Sequence, residues 1–144
     1  MSFELPYDPQ NIFAKIIAGE IPCTKVFEDD AILSFMDLFP QSRGHALVIS
    51  KNAKATNLFD IDQNDLQTLI TGVQKIGKAM KQALSPDGIR LAQFNGEAAG
   101  QTVFHLHFHL IPIYDGAALG AHASGGQADP EDLKALATQI ASHL

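Results

Sequence analysis

Eleven consecutive residues, Thr102-Val103-Phe104-His105-Leu106-His107-Phe108-His109-Leu110-Ile111-Pro112, constrain this chain more than any other stretch. Phe104, Leu106, Phe108 and Leu110 occupy one parity, and His105, His107 and His109 the other. A β-strand sends successive side chains to opposite faces. The run therefore predicts a strand that buries four apolar groups on one face and presents three imidazoles on the other. A helix does not accommodate the pattern, because residues two apart do not share a helical face. Alternate residues on a strand lie roughly 6–7 Å apart, close enough for one small anionic group to meet more than one ring. These residues alone leave three readings open. The histidines occupy an ordinary polar face, or they chelate a transition metal. The third is phosphorus chemistry, with one imidazole as nucleophile and its neighbours handling protons and charge.

Size and composition narrow the field. A chain of 144 residues with 46% hydrophobic content fits one domain, residues 1–144, with a core of its own. A net charge of -6 argues against binding nucleic acid through a broad basic face. A nucleotide is still a feasible partner, since a nest of backbone N–H groups and a few histidines suffice. No apolar run approaches the roughly 20 residues that span a bilayer. Residues 1–10 lack the basic and apolar regions of a signal peptide. Cys23 is the only cysteine, which excludes an intrachain disulfide and a Cys-rich zinc module. The expected location is cytoplasmic.

In order, residues 1–10 read as an N-terminal arm. Asn11 to Gly19 predicts a short helix, capped by Asn11, ended by Gly19 and striped by Ile12, Phe13, Ile16 and Ile17. Lys25–Glu28 and Ala31–Met36 predict two antiparallel strands around Asp29-Asp30. Residues 38–44 are turn-rich, His45–Ser50 is the next strand, and 51–61 form a connection with exposed Lys51, Asn52 and Lys54. From Asp62 to Leu84, the apolar positions Leu66, Leu69, Ile70, Val73, Ile76, Met80 and Leu84 predict a long amphipathic helix, stopped by Ser85-Pro86-Asp87-Gly88. Ile89–Phe94 predicts a strand, followed by a small-residue loop. Residues 113–128 hold four glycines and predict an irregular loop. Asp129 and Pro130 open a last helix over 129–144, buried along Leu133, Leu136, Ala137 and Ile140. The expected class is α+β: an antiparallel sheet of about five strands with one long helix and shorter terminal helices. The long helix covers one face and the His row lies on the other.

His105-Leu106-His107-Phe108-His109-Leu110-Ile111 matches the His-φ-His-φ-His-φ-φ signature, φ being apolar, of the histidine triad family. Further blocks agree in order: Ile12-Phe13-Ala14-Lys15-Ile16-Ile17, Gly19-Glu20-Ile21-Pro22, Glu28-Asp29-Asp30, Gly44-His45-Ala46-Leu47-Val48-Ile49 and Gly100-Gln101. The chain most resembles the nucleotide-binding, phosphoramidase-like branch in its bacterial form. That resemblance implies hydrolysis or transfer at the α-phosphate of purine nucleotide phosphoramidates or dinucleoside polyphosphates, without a metal or other cofactor, by a homodimer with joined sheets. It implies that His107 is the nucleophile, that His109 serves the leaving group, and that His45 and His105 hold the row. It gives Asp37 the ribose hydroxyls, places Gln101 and Thr102 near the phosphate and leaving group, and forms the base pocket from Ile12, Phe13, Ile16 and Phe35; Asn95, next to the Phe94 that replaces a family Asn, is the candidate substitute for that nucleotide contact. On its own residues, Asp37 reads first as a turn-forming acid before Pro40, although a carboxylate also suits two vicinal hydroxyls. His122 and His143 read as surface groups. Three departures bear on substrate preference and turnover. Asn11-Ile12-Phe13-Ala14 stands where many relatives carry a zinc-binding Cys pair, Phe94 replaces an Asn, and Ile113 replaces an Arg after Pro112.

Overall fold

The computed structural model describes residues 6–120 and 126–144. Nine elements follow in order: α1 (Ile12–Ile17), β1 (Lys25–Glu28), β2 (Ile32–Met36), β3 (Ala46–Ser50), α2 (Gln63–Leu84), β4 (Gly88–Ala92), a 3-10 turn (Glu97–Ala99), β5 (His107–Ile113) and α3 (Pro130–Ala141). The five strands form an antiparallel sheet in the order β1-β2-β3-β5-β4. The fold is the α+β arrangement that the alternation and the helical stripes predict.

Caps delimit the helices where short polar side chains meet the first turn. Asn11 accepts from the Ala14 amide, Asp62 from those of Asn64 and Asp65, and Asp129 from that of Glu131. The predicted terminators also act: Gly19 follows α1 at φ +80°, and Ser85 takes the left-handed conformation after α2.

Two apolar clusters sandwich the sheet. On one face Ile32, Met36, Ala46, Val48, Phe108 and Leu110 pack under α2 and α3, through Leu69, Val73, Ile76, Met80, Leu133, Leu136 and Ile140. Gly72 is part of that contact, because a Cβ there would lie 2.3 Å from Ile32 Cδ1. On the other face Phe13 of α1 closes over Leu33, Phe35, Leu47 and Ile49. Cross-strand register then decides where the imidazoles go. His107 pairs with Ile49 and His109 with Leu47, so both rings stand on the α1 face.

Several expectations need correction. The strand starts at His107 rather than Thr102, and residues 102–106 are irregular. Phe104 is accordingly only half-buried, while Leu106, Phe108 and Leu110 enter the core. The His face is covered rather than open: His105, His107 and His109 are 2%, 7% and 3% exposed. β4 ends at Ala92, short of Phe94. Ile70, placed in the apolar stripe of α2, is exposed, because the stripe drifts off the contact line on a long helix. In the 51–61 connection, Thr56 and Asn57 are buried. His122 lies outside the described residues.

Candidate active site

β5 and the segment before it hold the row, and His107 and the neighbouring His45 each meet a partner of fixed hydrogen-bonding sense. His107 Nδ1 lies 2.7 Å from the carbonyl oxygen of His105. A carbonyl only accepts, so the ring proton sits on Nδ1 and the lone pair on Nε2. The Gln41 amide N–H donates to His45 Nδ1 at 3.0 Å. That amide only donates, so the proton of neutral His45 sits on Nε2, and this N–H meets His109 Nδ1 at 2.9 Å. Neutral His109 therefore carries its own proton on Nε2. The result is a lone pair on one ring beside an N–H on the next, with ring centroids 4.9 Å apart.

Aromatic edges pack around the row. Phe13 meets His107 edge-on at 5.0 Å between centroids, and Phe94 meets His109 at 5.6 Å. Such contacts fix ring planes through the aromatic quadrupole. Asp37 serves two purposes. Its Oδ1 accepts from the Phe39 amide at 2.8 Å, which is the turn-forming role, while Oδ2 lies 3.4 Å from His45 Nε2. Burial holds His105 well below the ordinary imidazole range, at about 4, although a hydrogen bond with the Ser50 backbone acts the other way.

A cavity of about 490 Å³ opens over His107 and His109. Among the expected residues, Ile12, Phe13, Ile16, Phe35, Asp37, Thr102, His107 and His109 line it. His45 and His105 do not line it. Asn95 and Gln101 are not among the lining residues. Asn95 Oδ1 accepts from the Leu58 amide. Buried Gln101 accepts from the Gly96 amide and donates to the Thr56 and Val103 carbonyls. Both brace the loop before the row. Sequence reasoning did not anticipate Cys23, Thr24, Leu38, Phe39, Leu47, Val103 and Gln127 in the wall. Leu47 belongs to β3, and the others come from loops and turns, where no periodicity marks a side chain's direction. It also missed Gln41 and Tyr7, whose hydroxyl lies 2.8 Å from His105 Nδ1. A lone tyrosine 98 positions away carries no local signal.

Asp37, His45 and His109 offer ligand atoms within 4.8 Å of one another, as a metal site would. The donor set fits a metal poorly. A metal-bound imidazole donates its other ring N–H to an acceptor, whereas His45 Nδ1 receives a proton donor from Gln41.

Comparisons with known proteins agree with this geometry. The HIT domain matches residues 18–116. The adenosine 5'-monophosphoramidase of Schizosaccharomyces pombe is 37% identical over 134 residues, spanning 92% of this chain and 97% of that protein. Protein hit of Bacillus subtilis is 39% identical over 138 residues, spanning 92% and 93% respectively. The crystal structure of a Hit-like protein from Bartonella henselae superimposes with a TM-score of 0.91 at 46% identity, covering 97% of this chain and 100% of that one. The triad, its fold and these alignments agree: the chain belongs to the HIT domain family.

Proposed function

We propose that this protein is a nucleotide hydrolase or transferase acting at the α-phosphate of a purine nucleoside phosphoramidate or dinucleoside polyphosphate. The observation that carries the reading is the bond from His107 Nδ1 to the His105 carbonyl, which leaves a nucleophilic lone pair on Nε2 of a ring that lines the cavity. Nε2 attacks phosphorus while the bond to the leaving amine or phosphate breaks. His109 Nε2–H hydrogen-bonds the departing atom and stabilises its developing charge, and the departing group takes its proton from solvent. The nucleotidyl-histidine carries a cationic ring and is readily displaced. Water then attacks phosphorus as the bond to His107 Nε2 breaks, gives up a proton to solvent and releases a nucleoside monophosphate. Asp37 takes the ribose hydroxyls, and Ile12, Phe13, Ile16 and Phe35 flank the base. A homodimer joined along the edge strand β4 completes the proposal. β4 has one paired edge, and Leu91 on it is 50% exposed.

The similarity to a monophosphoramidase supports the phosphoramidate class. Adenosine 5'-phosphoramidate, a dinucleoside polyphosphate and a nucleotidyl sulfate, each followed for AMP release, form the test. The wild type should release AMP from at least the first. His107→Ala should lose at least about a thousandfold in kcat, as expected for removal of a covalent nucleophile, while keeping a cooperative melt. Undiminished turnover in that variant rejects the mechanism. Nucleotide binding by calorimetry with no product from any substrate points instead to a binding protein. Phe94 in place of the family Asn, together with the structural use of Asn95, favours that second reading.

A further inference from the structure

The carbonyl that orients His107 belongs to a residue outside the sheet ladder, since β5 begins at His107 itself. Something other than strand pairing must hold it. On one side the Leu106 amide donates to the Ala55 carbonyl at 2.9 Å. On the other, the His105 side chain is gripped from the N-terminal segment: the Tyr7 hydroxyl lies 2.8 Å from His105 Nδ1, and the two rings are tilted with centroids 5.6 Å apart. The ring's remaining nitrogen faces the Ser50 backbone, which takes a hydrogen bond from it. With Nε2–H engaged there, Nδ1 accepts the phenolic proton. Tyr7 lies outside residues 18–116, the part that matches the HIT domain.

We infer that Tyr7 is a positioning residue for the nucleophile: by donating to His105 Nδ1 it fixes the His105 backbone, whose carbonyl in turn selects the Nδ1–H tautomer of His107. The inference rests on the reading of His107 as nucleophile, but its physical part concerns a tautomer and is observable without turnover. Tyr7 does not line the cavity, so it acts through His105 rather than on substrate. If the hydroxyl is lost, the carbonyl is less well held, and the other tautomer of His107, which puts the proton on Nε2, competes. That tautomer has no lone pair on Nε2, the nitrogen that attacks phosphorus.

The test is Tyr7→Phe, which keeps the ring and removes only the O–H. Ring 15N spectra of uniformly labelled protein at neutral pH report each histidine tautomer, with His107→Ala providing the assignment. In Tyr7→Phe the His107 nitrogens should shift toward a tautomer mixture. Turnover of adenosine 5'-phosphoramidate should fall about fivefold to tenfold in kcat, the scale of one neutral hydrogen bond, with KM unchanged. Either unchanged His107 ring signals or an unchanged kcat overturns the inference. Should wild-type protein turn over no nucleotide, the functional reading falls separately, and the spectra still decide whether Tyr7 controls the tautomer.

Discussion

A histidine side chain can be nucleophile, acid or spectator, and single hydrogen bonds decide which. His107 and His109 have the same covalent structure and sit two positions apart. They present opposite atoms because one meets a carbonyl and the other receives the N–H of His45. His105 shows the cost of burying such a ring. Its folded pKa is about 4 against 6.5 for a free ring, chiefly through burial. Between those values the unfolded chain binds a proton that the folded chain refuses, so stability rises with pH across the window and is lost as pH falls from about 6.5 toward 4. At about 1.4 kcal/mol per pH unit, this one residue removes roughly 3 kcal/mol. Urea titrations at pH 7 and pH 4.5 should show a lower midpoint at the acid end, and His105→Asn should flatten part of that difference. An identical pH dependence in the variant would contradict the assignment to His105.

At the scale of elements, the sheet is a partition. One face is packed by α2 and α3, and the other by α1 and the His row. The close approach of α2 to β2 at Gly72 sets how near the helix layer can sit. A side chain there improves helix propensity by up to about 1 kcal/mol, but overpacking a buried contact costs about 1–3 kcal/mol. Ile32 is itself buried and has little room to move, so the second effect wins. Gly72→Val should lower stability by about 1–3 kcal/mol in equilibrium denaturation, and an unchanged urea midpoint would show that the layer spacing is not limited there.

At the scale of the whole molecule, β4 ends the sheet and offers an edge to a second copy. In the proposed twofold assembly a substitution on that strand acts twice, once in each copy. Leu91→Lys would set two like charges near one another across the joined edges. The wild type should sediment as a dimer, and the variant should move to monomer with its secondary structure intact. A wild-type monomer at tens of micromolar would remove the dimer from the proposal. Segments far apart in the chain also meet at this scale. The Gly120 backbone hydrogen-bonds with Gln41, whose amide holds His45, while Tyr7 reaches His105.

Periodicity and local chemistry in the sequence were enough to specify the strands, the three capped helices, the buried stripe of α3 and the alternation that separates imidazoles from core. Those properties depend on neighbours within a few positions, so they can be read along the chain. What only the folded chain decided is contact between distant residues: the register that puts His107 beside Ile49, and the late start of β5 at His107. The same holds for the burial of the rings beneath Phe13, the diversion of Asn95 and Gln101 into bracing a loop, and the tautomer of each imidazole. A tautomer follows from whether a donor or an acceptor faces the ring, and that partner lies anywhere from two to nearly a hundred positions away.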